Sequence, residues 1–125
     1  MNALTDSLNE VVGELEAHLG NLDPPGLKVL VKRLIDRLRT VIDELSKAGY
    51  VTLNVRLSKL LGELLAAAEA LLEALHVYLK SLKGTLEEKG RARGALDDAM
   101  SAVEAALGAI EAALGLGPNP GGTTP

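Results

Sequence analysis

Residues 95–115 read ALDDAMS-AVEAALG-AIEAALG, three consecutive heptads that decide the class of fold. Large apolar side chains recur there at alternating spacings of four and three residues, which places them on one face of a helix. These side chains are Leu96, Met100, Val103, Leu107, Ile110 and Leu114. A second row is entirely alanine, at Ala95, Ala99, Ala102, Ala106, Ala109 and Ala113. Because few polar residues remain, we expect other helices to shelter this one on nearly every side.

The composition of the whole chain favours the same class. Its 125 residues are enough for one domain with one core, and 47% of them are hydrophobic while 2% are aromatic. Leucine and alanine favour helices, whereas the residues that favour strands are scarce. The chain has no cysteine, so disulfides and thiolate ligands or nucleophiles are excluded. The predicted class is therefore all-α.

Apolar residues at helical spacing predict three further helices before the heptads. They span about residues 3–19, 25–47 and 52 or 54 to 83. Asp23 is placed to cap the second helix, and Tyr50 and Val51 are expected to belong to a linker.

Residues 84–94 carry conflicting signals about where the fourth helix begins. Thr85 and Glu88 have the spacing of a capping box, which would start the helix at residue 86. Gly90 and Gly94 each weaken a helix by about 1 kcal/mol relative to alanine. We expect a weak helical turn or a mobile connection here, with the firm helix starting near Ala95.

Charge and connection lengths predict how the helices are arranged. Segments 1–23 and 95–125 carry net charges of −5 and −4, whereas segment 24–49 carries +3. The acidic first and fourth helices should therefore lie against the second or third. Short connections favour antiparallel neighbours, so residues 1–115 are predicted to form an up-and-down antiparallel four-helix bundle. The Gly/Pro/Thr-rich residues 116–125 are predicted to be a disordered tail or a linker.

Several classes of function are disfavoured by charge and hydropathy. A formal net charge of −4 argues against nucleic acid as a partner, because binding phosphates needs an excess of Lys and Arg. Charged residues interrupt every apolar run before it reaches the ~20 residues of a membrane-spanning helix. The acidic, polar opening residues do not resemble a secretory signal. No compartment is indicated.

The chain offers few residues for metal binding or catalysis. Glu73 and His76 have the Glu-x-x-His spacing of di-metal bundles, but a second pair is missing. We expect His76 to lie beside the apolar face with its polar edge in water, and His18 to cap the end of the first helix. No serine has a nucleophile-elbow setting. The sequence predicts no enzyme, no resident metal and no cofactor.

Two groups of residues are candidate sites. The first is an apolar face that either packs the core or lines a cavity for an apolar ligand, formed by Leu64, Leu71, Leu75, Val103, Leu107 and Ile110. The second is a basic cluster on the second helix that either contacts an anionic surface or pairs with acidic neighbours, formed by Lys28, Lys32, Arg33, Arg37 and Arg39. For both groups the structural role is favoured.

These features predict a non-enzymatic structural or protein-interaction module, either one unit of a longer protein or one that associates with itself. The alternative is a surface-active bundle that binds an apolar ligand or a lipid interface. Both hypotheses draw on the same observation, which is that the third and fourth helices carry more apolar surface than one small bundle needs to bury.

Overall fold

Four α-helices make up most of the chain. The computed structural model describes residues 3–22, 25–47 and 55–115. The helices are α1 (Ala3–Ala17), α2 (Pro25–Lys47), α3 (Val55–Ser81) and α4 (Leu86–Leu114), and a short 3-10 helix at Leu19–Asn21 follows α1. They pack against one another as the all-α four-helix bundle that the sequence predicts.

The helices surround one core in the order α1, α2, α4, α3. The most extensive contact is between α3 and α4, which form an antiparallel hairpin joined by residues 82–85. The other main contacts join α1 to α2, α1 to α3, and α2 to α4. Each acidic helix thus packs chiefly against α2 and α3, as the charge distribution predicts.

The core is built almost entirely from leucine, valine and isoleucine. Buried residues from all four helices form a single contiguous cluster. Its fully buried large side chains are Leu8, Leu15, Leu27, Ile35, Leu38, Leu61, Leu64, Leu71, Leu75, Leu96, Leu107 and Ile110. In the whole cluster, the buried residues of each helix recur every three or four residues, so burying this stripe fixes how each helix is rotated.

The fourth helix begins at Leu86, so the prediction of a weak connection over residues 84–94 was wrong. The Thr85 side chain accepts a hydrogen bond from the Glu88 amide at 3.1 Å, and the Glu88 carboxylate accepts one from the Thr85 amide at 2.9 Å. Ala92 is buried in the core, which anchors this first part of the helix. The capping box and this burial outweigh the two glycines, which cost about 1 kcal/mol each.

The outer surface of α4 is open to solvent, so the prediction that α4 is sheltered on nearly every side was also wrong. Its buried residues are Ala92 and five of the six large heptad side chains, and the sixth, Leu114, is partly buried. Ala99 and Ala106 are partly buried, but four other members of the alanine row, Ala95, Ala102, Ala109 and Ala113, are exposed. Alanine does not need shelter as leucine does, because its single methyl group is a small apolar area.

Some predictions fall outside the described residues. They concern the tail at 116–125, the linker residues Tyr50 and Val51, and the capping role of Asp23.

Glycine substitutions in and after α4 test this description of the helix. An added Cβ at Gly90 would meet open space, so Gly90→Ala should raise the free energy of unfolding by about 0.5–1 kcal/mol. Gly115 ends the helix with φ of 75°, so Gly115→Ala should lower it by about 1–2 kcal/mol. Urea unfolding followed by far-UV circular dichroism measures both. A destabilised Gly90→Ala variant would contradict a continuous helix from Leu86.

Candidate functional site

The apolar face predicted from α3 and α4 lies inside the core. All six of its residues, Leu64, Leu71, Leu75, Val103, Leu107 and Ile110, have no exposed surface. They belong to the same packed cluster as the leucines of α1 and α2. Neither of the two surface clefts described below is lined by any of them. Their arrangement is that of a packing face.

A groove between α3 and α4 is the larger of these two clefts, with a volume of about 480 Å³. Its lining is Val77, Lys80, Ser81, Glu88, Arg91, Ala92 and Ala95. Val77 is 49% exposed, although it is a large apolar side chain within α3, four residues before that helix ends at Ser81. Val77 is not among the residues singled out from the sequence, because it lies outside the apolar stripe that is buried on α3.

Small residues continue from this groove along both helices. Ala74 and Ala70 precede Val77 by three and seven residues, and Ala102 follows Ala95 by seven, so each set shares one flank of its helix. Ala70, Ala95 and Ala102 are exposed, and Ala74 is partly buried. We call this surface, formed by Val77 with Ala70, Ala74, Ala95 and Ala102, the α3–α4 flank. Only alanine and valine project from these five positions, and the exposed carboxylates of Glu73 and Asp98 lie beside them at the same helical spacing.

Arg37 of the predicted basic cluster is held by α4. Its Nε and Nη2 donate hydrogen bonds to the two carboxylate oxygens of Glu111, at 3.1 and 2.7 Å. The hydrogen bond to Glu111 raises the pKa of Arg37, against an opposing effect of burial, and the charges of Glu111 and Glu104 add to the rise. This two-point contact joins the basic α2 to the acidic α4.

Among the other members of the basic cluster, one contacts a neighbouring helix and three stay on the surface of α2. Arg39 pairs with Glu16 of α1, and Lys32 lies 3.5 Å from Asp36 on its own helix. Lys28 and Arg33 are exposed. Arg37 and Arg39 face the neighbouring helices. A continuous site that binds an anionic surface would therefore have to consist of Lys28, Lys32 and Arg33.

The exposed part of that cluster lies beside exposed apolar side chains. Val29 and Leu30 of α2 are 51% and 43% exposed. Leu30 also lines the second cleft, between α2 and α4, which has a volume of about 260 Å³. Its full lining is Leu30, Leu34, Asp97, Met100, Ser101 and Glu104. We call Lys28, Val29, Leu30, Lys32 and Arg33 the α2 patch.

The two histidines of the chain lie next to each other. His18 directly follows the last residue of α1, and His76 is exposed on α3. Their Nε2 atoms are 2.9 Å apart, and the rings are nearly perpendicular, with centroids separated by 4.7 Å. The sequence predicts a separate role for each histidine and does not reveal this pairing, because the pairing depends on α1 packing against α3.

The described ranges hold no cluster of three or more potential metal-ligating side chains among His, Cys, Asp and Glu. None of the helices described combines the length and apolar character needed to cross a membrane. Comparisons with protein families, with characterised proteins and with solved structures find no match to this chain. What can be said about function therefore comes from the surfaces themselves.

A double-mutant cycle on Arg37 and Glu111 tests whether α2 is tied to α4. Arg37→Gln, Glu111→Gln and the double variant should give a coupling of about 0.5–1 kcal/mol in urea unfolding, decreasing as salt is added. Arg91 and Glu87 form the matched control, because that pair is highly exposed on one helix. Equal coupling energies for the two pairs would contradict a specific α2–α4 contact.

Proposed function

We propose that this chain is a non-enzymatic helical-bundle module that associates with a second copy of itself through the α3–α4 flank. The observation that supports this most directly is Val77, a valine left half-exposed in a groove between the two most extensively packed helices. The neighbouring α3–α4 flank residues are alanines, two of them on each helix. An apolar surface of this kind is buried favourably by a partner helix, at about 25 cal/mol per Å².

The lining of the groove also includes charged side chains. Lys80 and Arg91 line it together with Glu88, and Arg91 also pairs with Glu87 at 3.1 Å. An apolar centre with charged side chains around it allows water to be expelled from the middle while the rim stays hydrated. The small side chains of the α3–α4 flank let two helices pack at short separation, as facing small residues do between membrane helices.

Sedimentation over a wide range of protein concentrations tests this proposal. The wild-type chain should increase in mass with concentration, and Val77→Asp should remain a monomer because a carboxylate would have to be desolvated at the interface. Val29→Asp is the matched control, since it places the same group at an equally exposed valine on α2. A wild-type chain that stays monomeric from micromolar to millimolar concentrations contradicts self-association. Equal weakening by both variants contradicts the assignment to the α3–α4 flank.

The α2 patch supports a second candidate function, which is binding to an anionic lipid interface. Val29 and Leu30 are exposed beside Lys28, Lys32 and Arg33, the combination of apolar and basic side chains that suits a negatively charged membrane surface. Arg37 and Arg39 are held in ion pairs with neighbouring helices, and the other three members of the cluster are exposed.

The same two valine variants test lipid binding with their roles reversed. Wild type and Val77→Asp should sediment with vesicles of phosphatidylcholine and phosphatidylserine, whereas Val29→Asp should lose most of this binding by charge repulsion and lost apolar burial. Vesicles of phosphatidylcholine alone are the lipid control. Absence of wild-type binding to the anionic vesicles would remove this candidate.

A further inference from the structure

His18 and His76 meet where the end of α1 packs against α3. The two residues are 58 positions apart in sequence, yet their Nε2 atoms are 2.9 Å apart. We propose that this pair is a two-point chelating site for a divalent transition-metal ion, with Cu(II) preferred and Ni(II) next. This site is separate from the self-association and the lipid binding proposed above.

The separation of the two nitrogens matches neighbouring positions around a metal ion. With metal–nitrogen distances of about 2.0–2.1 Å, two ligands at a right angle are about 2.9 Å apart, whereas tetrahedral ligands are about 3.3–3.4 Å apart. The observed 2.9 Å therefore fits square-planar or octahedral coordination better than tetrahedral coordination. Cu(II) and Ni(II) favour the former geometries, and Cu(II) binds nitrogen ligands most strongly among the divalent ions of its row.

Backbone structure holds both histidines in place. The His18 amide donates a hydrogen bond to the Leu15 carbonyl at 3.1 Å, and the His18 carbonyl accepts one from the Asn21 amide at 3.0 Å. His76 lies within α3, between the buried residues Leu75 and Tyr78. Two ligands fixed by packed elements lose little freedom when a metal ion joins them.

The surroundings of the pair leave room for the remaining ligands. His76 is exposed and His18 is partly exposed, so water can reach a bound ion. No third protein ligand joins the pair among the described residues. The chain would thus supply two nitrogen ligands, and water molecules would occupy the other coordination positions.

Metal binding requires a change of tautomer in one ring. A hydrogen bond between the two Nε2 atoms requires one of them to carry the proton and the other to accept it. A bound ion needs the lone pair of both Nε2 atoms, so the donor ring must carry its proton on Nδ1 instead. The proton moves within the ring, so this tautomer change releases no net proton.

Cu(II) titration followed by calorimetry and electron paramagnetic resonance tests the site, with Mg²⁺ as the control ion. We expect one Cu(II) per chain with two imidazole nitrogens bound. His18→Gln and His76→Gln should each remove one nitrogen from the spectrum and weaken binding at least about tenfold, because each loses the benefit of two linked ligands. Glu69→Gln, which removes an exposed carboxylate on α3, should bind Cu(II) as the wild type does.

Two results would overturn the proposal. One is a wild-type spectrum that contains a single imidazole nitrogen, which decides the matter without any variant. The other is an unchanged Cu(II) affinity in both histidine variants, once circular dichroism has confirmed that their helices are intact.

Discussion

Burial of one stripe of large apolar side chains by each helix is the interaction on which the rest of the structure depends. On α4 the stripe includes Leu96, Val103, Leu107 and Ile110, which have no exposed surface. Burying a leucine-sized side chain contributes about 1.5–3 kcal/mol, whereas a single methyl group contributes about 0.8 kcal/mol or less. The leucine stripe therefore sets the rotation of each helix, and this rotation determines which alanines are exposed.

This difference in magnitude explains what the sequence could and could not predict. The four helices, the core stripe and the pairing of acidic with basic helices follow from spacing and charge, which are local properties. The exposure of Ala102 and Ala109 was missed because a count of apolar residues gives alanine the same weight as leucine. The start of α4 was missed for a similar reason, since two glycines were weighed without the burial of Ala92, which depends on contact with the other helices.

Charge acts in a second role, by choosing which helices become neighbours. From α2, Arg37 reaches Glu111 of α4 and Arg39 reaches Glu16 of α1, so one basic helix contacts both acidic ones. Partly exposed ion pairs of this kind contribute little to stability, about 0–1 kcal/mol each. They favour placing each acidic helix beside α2, whereas a contact between α1 and α4 would bring like charges together. The basic cluster is thereby divided between a structural half and the exposed α2 patch.

The two candidate sites on α3 are independent although they occupy consecutive residues. His76 and Val77 point about 100° apart around the helix, so one side chain reaches His18, just after α1, and the other lies in the groove with α4. A metal ion on the histidines would link α1 to α3 and stabilise the folded bundle by mass action. It would not alter the small residues that a partner helix must approach on the α3–α4 flank. Coupling between the sites would require α3 to shift as a unit, and the fully buried residues Leu71 and Leu75 hold α3 against such a shift.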